Sequence, residues 1–486
     1  MKPVYIVSWL FALAVSFVSC DDWLDKTPKD RLYPDVYFKT EDELRLFTNQ
    51  FYNNLVPSAV DIYSESSDLI VKSDLMLEMS GQRIIPDEGN GWNFTALRDI
   101  NFYLQYSHNC TEVNARNRYD GVARFFRAYF YFEKVKRYGD IPWYDKALDS
   151  DDPELYKARD SREFVMQKML EDLDFAIANL PKTKNAYVLT RWTALALKSR
   201  VCLFEGTFRK YHGLEDCEKY LNACVSASET FMNESGYTLY KSGSTPYRDL
   251  FASINLQADE VIFGRDYEAS LSVLHNVQNY ENSTTMGRPG MNKKIVNSYL
   301  MADGSRFTDK AGYETMTFDQ ECQNRDPRLA QTIRTPGYTR IGSTKKEAPN
   351  LAYTMTGYHL IKYSMTANYD EYNKSCNDIP LFRTAEVYLN FAEAKAELGT
   401  LKQADINKSI KLLRDRVGMT NLDMELANSK PDPYLMSAAT GYPNVKGANQ
   451  GVILEIRRER TIELAMEGFR YYDIMRWKEG KLFEND

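Results

Sequence analysis

The sequence has few of the residues on which most catalytic and metal-binding sites depend. Its 486 residues include four histidines and seven cysteines. It contains no His-Glu-x-x-His, Gly-x-Ser-x-Gly, phosphate-loop or paired Cys-x-x-Cys motif. Those motifs mark zinc proteases, serine hydrolases, phosphate-binding enzymes and paired-cysteine sites. We therefore expect a protein without catalytic residues, bound metal or cofactor.

An excess of positive charge is also missing. The chain has 61 Lys and Arg against 68 Asp and Glu, a formal net charge of −7. This balance argues against nucleic acid as the main partner. The apolar fraction of 43% and the charged fraction of 27% are typical of a folded protein. Because the chain exceeds the usual size of one core, we expect two structural regions or one long array.

Long hydrophobic segments are absent after the amino terminus. Lys2 precedes an apolar run over residues 4–18, which is too short to span a bilayer and suits a signal peptide. The run leads into "SFVSC", and acidic residues follow Cys20 directly. This boundary resembles a bacterial lipobox, which predicts a lipoprotein signal peptide over residues 1–19, acylation of Cys20 and a membrane-anchored mature protein. The alternative is an ordinary secretory signal with an incidental cysteine.

The six remaining cysteines are too sparse for a disulfide-dependent scaffold. Cys217 and Cys224 lie in one helical pattern, two turns or about 10 Å apart on the same face. That separation exceeds the reach of a disulfide. We therefore predict buried free thiols.

Helical hydrophobic patterns recur in pairs along the chain. In each pair an aromatic or alanine-rich helix ends at a glycine, and a second amphipathic helix follows. The pairs are residues 121–139 with 161–181, residues 191–206 with 214–231, and residues 384–399 with 404–418. This arrangement is typical of diverged tetratricopeptide-like repeats, with unrelated helical hairpins as the alternative. We therefore predict a mainly α-helical fold.

The segment between the second and third pairs has a different character. Residues 234–380 are rich in Gly, Pro, Asn and Tyr, and short stretches such as "DEVIFGRDY" predict minor strands. Loops mounted on a helical frame are a usual place for a ligand site. We predict a helical scaffold mainly over residues 100–233 and 378–480. The irregular, loop-rich ligand-binding region is mainly residues 55–98 and 234–377.

The stretch "ILEIRRERTIELAMEGFRYYDIMRWKEG" (residues 453–480) combines many charges with aromatic residues. Glu455, Glu459, Glu463 and Glu467 recur every four residues as a carboxylate stripe. A glycosidase needs two carboxyl groups flanking a sugar, whereas neighbours on one helix point the same way. Interleaved arginines can pair with the stripe at i,i+3 and i,i+4; they are Arg457, Arg458, Arg460, Arg470 and Arg476. We interpret this segment as scaffold, and "NRDPRL" (residues 324–329) as a structural ion-pair corner.

Seven stretches of the chain carry a resemblance to one known family, in that family's order. They are residues 125–143 ("FFRAYFYFEKVKRYGDIPW"), 161–181, 191–206, 295–304 ("IVNSYLMADG"), 324–329, 378–399 ("DIPLFRTAEVYLNFAEAKAELG") and 453–480. On these stretches the chain resembles the SusD/RagB family of outer-membrane lipoproteins of Bacteroidetes. The resemblance implies four tetratricopeptide-like helix pairs that carry an irregular ligand-holding region. Family members usually continue well past "RWK", whereas this sequence ends at Asp486. Either the sequence is truncated there or the tail is unusually short, and the two alternatives leave the final packing layer open.

The resemblance also implies a function in nutrient uptake. Such proteins are held at the cell surface by lipid and bind oligosaccharides or, in the RagB branch, peptides. They act as a lid on a SusC-like TonB-dependent transporter in the outer membrane. We therefore expect a non-catalytic lipoprotein that binds glycan and delivers it to such a transporter. A peptide ligand, a subunit that only caps its transporter, and a surface enzyme are the alternatives.

Aromatic and polar residues outside the helical repeats are the candidate ligand contacts. Sugar rings stack on aromatic faces, and sugar hydroxyls hydrogen-bond to Asp, Asn and Arg. The predicted ligand-binding residues are Trp92 and Asn93 in "DEGNGWNF", Asp61, Tyr63 and Asp68 in "VDIYSESSD", and Tyr280, Asn282 and Arg288 in "NYENSTTMGRPG". For Trp92 the alternative is a structural role before the next helix.

Overall fold

The computed structural model describes residues 37–87, 89 and 91–484, so the predicted signal peptide (residues 1–19) and Cys20 lie outside the described residues. The fold is mainly α-helical. The helices are α1 (Glu41–Leu55), α2 (Ala59–Tyr63), α3 (Thr95–Tyr106), α4 (Val113–Tyr138), α5 (Arg162–Asn179), α6 (Arg191–His212), α7 (Cys217–Glu234), α8 (Pro246–Phe251), α9 (Val277–Asn282), α10 (Lys293–Ser298), α11 (Phe318–Glu321), α12 (Leu329–Thr332), α13 (Thr384–Glu397), α14 (Gln403–Asn407), α15 (Ile410–Arg416), α16 (Met424–Ser429), α17 (Pro433–Met436), α18 (Gln450–Glu463) and α19 (Arg470–Arg476). The strands are β1 (Ile70–Val71), β2 (Val261–Arg265), β3 (Gly290–Met291) and β4 (Ile379–Arg383).

The long helices stack on one another in the order that the hydrophobic pattern predicts. α4 packs against α5 and α6 packs against α7, while α7 also contacts α13. At the amino end α1 and α3 both pack on α4, and towards the carboxyl end α13 packs on α18. Each helix buries its apolar face against the next, which gives a layered array. The predicted helical class and tetratricopeptide-like pairing are confirmed.

Local capping explains where the helices of the first pair begin and end. The hydroxyl of Ser161 accepts a hydrogen bond from the backbone N–H of Phe164 (3.3 Å), so α5 begins at its predicted N-cap. Gly139 follows α4 with a φ of 71°, in the left-handed region that favours glycine. These two signals are local, which is why the sequence predicts them well.

The predicted helix end at Gly206 is wrong. α6 continues to His212, and Gly213, with a φ of 72°, follows it instead. Gly206 lies inside the helix where α7 crosses closely. A Cβ added there would lie 2.7 Å from the Cγ of Leu221. Gly206 therefore serves helix packing and does not terminate the helix.

The second helix of the third predicted pair is interrupted. Residues 404–418 form the two short helices α14 and α15 instead of one continuous helix. Between them the hydroxyl of Ser409 donates a hydrogen bond to the carbonyl oxygen of Asp405 (2.6 Å). Serine side chains compete in this way with helical backbone hydrogen bonding. The apolar periodicity survives the break, so the pattern alone does not reveal it.

The irregular region contains two small antiparallel sheets. β1 pairs with β3 and β2 pairs with β4. β2 confirms the minor strand predicted from "DEVIFGRDY". β4 runs directly into α13, which ties the irregular region to the helical array. An apolar cluster of its own underlies this region and includes Tyr247, Tyr299 and Tyr363.

The six cysteines that the structure describes are free thiols. Four are buried (Cys110, Cys202, Cys224 and Cys376), and Cys217 and Cys322 are half-buried. Burial raises the pKa of the Cys224 thiol to about 12. A thiol with so high a pKa is unreactive at neutral pH. The predicted free thiols are confirmed, with full burial for four of the six.

The carboxylate stripe of α18 lies inside the protein. Glu463 pairs with Arg416 (2.6 Å), Arg383 (2.7 Å) and Arg328 (3.1 Å), and the accessible fraction of each of these side chains is 2% or less. Burial alone would raise the pKa of Glu463, but the three guanidinium groups hold it well below its usual range. A carboxylate held in this way is an anion and not a proton donor. The scaffold interpretation is confirmed.

The predicted pairing along the helix is wrong for most of the stripe. Glu455 does pair with Arg458 at the i,i+3 spacing (2.6 Å). Glu459, however, pairs with Arg328 (2.5 Å) and Arg414 (2.8 Å) from other elements. Arg328 also pairs with Asp326 (2.7 Å), which confirms the ion-pair corner in "NRDPRL". Helical spacing shows which residues share a face but not which distant residues cover that face.

Candidate ligand-binding site

Trp92 is an exposed aromatic side chain just before α3. Its exposed fraction is 39%. The rings of Phe94 and Tyr138 meet it edge-on, with centroid distances of 5.3 and 5.0 Å. The guanidinium carbon of Arg159 lies 4.9 Å from the indole centroid, a cation–π distance. Trp92 is therefore both oriented and accessible, as a stacking platform must be.

Glycine residues shape the turn that carries Trp92. The backbone N–H of Trp92 donates to the carbonyl of Gly89 (3.0 Å), and that of Asn93 donates to the carbonyl of Gly91 (2.9 Å). Gly89 and Gly91 have φ values of 71° and 85°, which favour glycine. From α4, Lys134 donates a hydrogen bond to the carbonyl of Gly91. The turn is thus fixed to the helical array.

Trp92 lines a groove of about 580 Å³. One side of the groove is the beginning of α3, and the other is the irregular segment of residues 142–159 between α4 and α5. Its other apolar lining residues are Phe94, Leu97, Pro142, Tyr144, Leu148 and Leu155. The groove is an open, largely apolar site, which suits a ligand that stacks on aromatic rings.

Buried side chains hold the irregular wall in place. The Tyr131 hydroxyl, on α4, accepts a hydrogen bond from the backbone N–H of Tyr144 (2.6 Å). The carboxamide of Asn101, on α3, donates to the carbonyls of Tyr144 (2.8 Å) and Lys146 (3.3 Å). Arg127 in turn donates to the Asn101 side-chain oxygen (3.2 Å). Although residues 142–146 form no regular secondary structure, hydrogen bonds to side chains of α3 and α4 fix their position.

Four cationic side chains line the same groove: Arg98, Lys146, Lys157 and Arg159. The ammonium of Lys146 lies 2.9 Å from Glu154 and 3.6 Å from Asp152. The ammonium of Lys157 lies 3.1 Å from Asp160 and donates to the carbonyl of Trp143 (2.6 Å). Both lysines are therefore paired with carboxylates at the edge of the groove.

Asn93 follows Trp92 in the chain and lies in the same turn. It is exposed, and its side-chain oxygen accepts a hydrogen bond from the backbone N–H of Thr95 (2.8 Å), at the start of α3. Ligand contact by Trp92 and Asn93 stays a prediction.

Asp61 and Arg288 lie outside this groove and take part in local backbone contacts. An Asp61 carboxylate oxygen accepts from the backbone N–H (2.9 Å) and the hydroxyl (2.6 Å) of Ser58, at the start of α2. Arg288 donates to the carbonyls of Ala352 (2.9 Å) and Leu351 (2.8 Å). Neither residue lines the groove at Trp92. Their side chains hold loops together.

Asp68 and Asn282 are buried in polar networks. Both Asp68 oxygens accept hydrogen bonds from the guanidinium of Arg470, at 2.7 Å each. The side-chain oxygen of Asn282 accepts from Arg334 (3.1 Å) and Arg340 (3.2 Å). These acceptors are turned away from solvent and neither residue lines the groove at Trp92, so ligand contact by Asp68 and Asn282 stays a prediction that their burial does not support. The arginines that cover them are distant along the chain and gave no local signal.

Tyr63 and Tyr280 belong to the apolar core of the irregular region. Their ring centroids are 5.2 Å apart, and both side chains are almost wholly buried. Burial raises the pKa of both phenols well above the ordinary value. Neither ring presents a face to solvent, so ligand contact by these tyrosines likewise stays a prediction that their burial does not support.

A second cavity, of about 430 Å³, lies between the helical array and the segment that precedes α19. Asp61 is among its lining residues, together with aromatic residues such as Tyr129, Phe469 and Tyr472. The ammonium of Lys136 lies 2.7 Å from Glu133 and 4.0 Å from the Tyr472 ring centroid. The charged residues that line this cavity are in ion pairs within the protein, except Asp61, which accepts hydrogen bonds from Ser58.

The sequence prediction missed the groove residues that follow α4. Tyr144, Lys146, Lys157 and Arg159 lie in "GDIPWYDKALDSDDPELYKARD" (residues 139–160), inside the range predicted as scaffold. Two prolines and the acidic cluster mark this stretch as a long connection between helices. Loops of this kind carry binding sites more often than helices do, and that signal was present in the sequence.

Neither a membrane span nor a metal site is found in the part of the chain that the structure describes. No helix within residues 37–87, 89 and 91–484 is long and apolar enough to cross a bilayer. The same residues contain no group of three or more His, Cys, Asp or Glu placed to hold a metal ion.

Two family profiles match this chain. The profile described as "SusD family" matches residues 250–485, and the one described as "Starch-binding associating with outer membrane" matches residues 82–191. The second match includes both walls of the groove. SusD-like protein P2 of Formosa agariphila is 26% identical over 96% of this chain and 90% of its own. SusD-like protein P38 of the same organism is 23% identical over 98% and 92%.

Solved structures show the same fold. A SusD-like protein from Bacteroides fragilis superposes with a TM-score of 0.71 at 22% identity, covering 93% of this chain and 89% of the other. A SusD-like carbohydrate-binding protein from the same species has a TM-score of 0.71 at 20% identity, covering 91% and 87%. These structures show the fold, and the two profile matches with the relatives that align over nearly the whole chain show that the chain belongs to the SusD family.

Proposed function

We propose that this protein is a cell-surface lipoprotein that binds oligosaccharides in the groove at Trp92 and delivers them to a SusC-like TonB-dependent transporter. In this proposal the protein catalyses no reaction. The observation that carries the proposal is the exposed, oriented indole of Trp92 above a largely apolar groove. A relative of the same fold described as carbohydrate-binding, and a matching profile described as starch-binding, support a glycan ligand.

The chemistry of the groove suits a sugar. Pyranose C–H faces stack on aromatic rings, and each such contact adds about 0.5–1.5 kcal/mol beyond the area that it buries. Polar groups that can hydrogen-bond to sugar hydroxyls are supplied by Asn93, Thr95 and the four cations. A shallow site of this kind binds weakly, and release into a transporter requires weak binding. We expect dissociation constants of about 1 μM to 1 mM.

Replacement of Trp92 by Ala tests the binding site. Loss of the stacking surface should weaken oligosaccharide binding by about tenfold or more, since tenfold corresponds to roughly 1.4 kcal/mol. The ligand is first identified on a glycan array, and affinity is then measured by isothermal titration calorimetry on the mature protein. Helix content by circular dichroism should not change, because Trp92 lies outside the helices.

A matched control is Tyr372→Ala, which removes an aromatic side chain that is 69% exposed and lies outside the groove. This variant should bind as the wild type does. Unchanged affinity in Trp92→Ala would remove the groove from the proposal. A peptide panel separates the alternatives: peptide binding without glycan binding would indicate a peptide carrier, and silence on both panels would indicate a subunit that only caps its transporter.

A further inference from the structure

The charge of the groove points to a class of glycan, an inference that rests on the function proposed above. Four cations line the groove, and no carboxylate of the described residues lines it. The whole chain has a formal net charge of −7. The cations are therefore a local concentration on a protein that would otherwise repel anions.

The four cations are not equivalent. Lys146 and Lys157 are paired with carboxylates at the rim, as described above. Arg98 donates from Nε to the carbonyl of Leu148 (3.2 Å). For the guanidinium groups of Arg98 and Arg159, no carboxylate of the described residues lies within salt-bridge distance. The positive charge of the groove that no salt bridge of the described residues neutralises is thus confined to these two arginines, of which Arg98 also interacts electrostatically with Asp99 from beyond salt-bridge distance.

Arg159 shares its position with the predicted stacking platform. It is exposed, and its guanidinium lies over the indole of Trp92. A neutral sugar that stacks on this face must displace the guanidinium and lose the cation–π contact without replacing it. An acidic sugar instead offers two acceptor oxygens in the plane that a guanidinium prefers. Displacement of Arg159 from the ring is then compensated by a charge-assisted contact.

We propose that the groove at Trp92 binds an acidic oligosaccharide, one that bears carboxylate or sulfate groups. Arg159 and Arg98 pair with the acidic group, while the sugar ring stacks on Trp92. Uronic acids and sulfated sugars share this chemistry, and the experiment separates them. Lys146 and Lys157, whose charges are already balanced, contribute hydrogen bonds and little net attraction.

The test compares oligosaccharides in matched pairs, in which one member carries the acidic group and the other has that group esterified or removed. One set contains de-esterified oligogalacturonate, oligoalginate and glucuronate-bearing oligosaccharides, each beside its methyl-esterified form. A second set contains sulfated oligosaccharides beside their desulfated forms. We expect at least one acidic form to bind about tenfold or more tightly than its neutral partner. The preference should shrink from about 0.01 M to about 1 M salt, over which the Debye length falls from roughly 30 to 3 Å.

The variants Arg159→Gln and Arg98→Gln test which arginine pairs with the acidic group of the sugar. Each should weaken binding of the preferred acidic form by about tenfold. Arg98→Gln should change binding of the neutral partner by less than about twofold, whereas Arg159→Gln should strengthen it, because a neutral sugar no longer has to displace the guanidinium from Trp92. Arg45→Gln is the control, because Arg45 is a half-exposed arginine on α1 that does not line the groove. It should bind both forms as the wild type does.

Three outcomes would overturn the inference. The first is loss of the charge preference: equal affinity for the acidic and neutral forms, or binding of neutral forms alone, would show that the arginines do not select charged sugars. In that case the proposed glycan function would still stand if Trp92→Ala weakened binding. Tight binding of poly-glutamate that is insensitive to Trp92→Ala would show attraction of any polyanion. Silence of every glycan would remove the proposed function and the inference together.

Discussion

Trp92 and Tyr280 are both aromatic residues that were predicted as ligand contacts, but Trp92 is exposed and Tyr280 is buried. Trp92 keeps an accessible indole because Phe94 and Tyr138 support it edge-on. Tyr280 is packed against Tyr63 in a core. Composition and neighbouring residues are similar in the two segments, so sequence reasoning assigned both to the ligand. Packing against distant residues sets the different exposure of the two side chains.

Removal of Glu463 should strongly destabilise the protein. Glu463→Ala leaves the guanidinium groups of Arg328, Arg383 and Arg416 buried with one carboxylate fewer among them. Breaking a buried pair by removing one partner costs about 3–5 kcal/mol. We expect that loss in the free energy of unfolding, measured by urea denaturation. Ligand affinity of the folded variant should not change, because Glu463 does not line the groove.

The control for this change is Glu171→Ala. Glu171 pairs with Lys168 on the surface of α5, with a side-chain exposed fraction of 49%. Exposed pairs contribute about 0–1 kcal/mol. A comparable loss in both variants would contradict the view that the stripe is a buried network.

Glu65 makes stability depend on pH. Burial raises the pKa of this carboxyl from an ordinary value of 4.5 to about 8 in the folded protein. The hydrogen bond from the backbone N–H of Arg470 and the charge of Arg470 lower this pKa, but their effect is smaller than that of burial. The folded state therefore keeps a proton that the unfolded state has lost, and stability falls as pH rises from about 4.5 to about 8. Glu65→Gln cannot titrate and should lack this fall.

Thermal unfolding of both proteins across this pH range provides the measurement. The melting temperature of the wild type, relative to Glu65→Gln, should decrease from the acidic to the alkaline end. Parallel curves would show that Glu65 ionises at its ordinary pH in the folded protein.

At the scale of elements, the close approach of α6 and α7 depends on Gly206. A Cβ at this position would lie 2.7 Å from Cγ and 3.0 Å from the backbone nitrogen of Leu221. Gly206→Val should therefore force the helices apart and lower the free energy of unfolding by about 1–3 kcal/mol. Chemical denaturation measures this loss. Gly480→Val is the control, because nothing lies within 4 Å of an added Cβ there; an equal loss would indicate a backbone effect instead.

The elements differ in how well the sequence predicts them. The first two helix pairs carry a full apolar stripe and local caps, so periodicity finds them. The groove wall of residues 142–159 has no periodicity, and side chains of α3 and α4 such as Asn101 and Tyr131 hold it in place. Because contacts with other helices hold this segment in place, its own sequence does not predict its position.

At the scale of the whole molecule, the predicted acylation of Cys20 can be tested by where the protein resides. If Cys20 is acylated, Cys20→Ala should abolish outer-membrane fractionation, because the lipid chains supply the stable attachment. Membrane fractionation and protease accessibility on intact cells measure the effect. Surface display of the variant at the wild-type level would contradict the anchor, while a secreted soluble product would support it.

The buried ion pairs also act at this scale. Arg383 of β4 contacts Glu463 of α18, and Asp68 near β1 contacts Arg470 of α19. Each pair joins the irregular region to the carboxyl-terminal helices. Because an unpaired buried charge is costly, these contacts favour one relative placement of the two parts.

The sequence by itself determined the helical class, the order of the helix pairs, the family resemblance and the identification of Trp92 as a candidate. Those properties follow from periodicity, capping and motif order, which are local along the chain. Only the tertiary structure decided which polar residues are accessible. Asp68 and Asn282 are covered by arginines far away in the sequence, whereas Arg98 and Arg159 line the same groove as Trp92 because the connection between α4 and α5 folds against the start of α3. Burial and charge pairing depend on contacts between distant segments, and no local pattern encodes them.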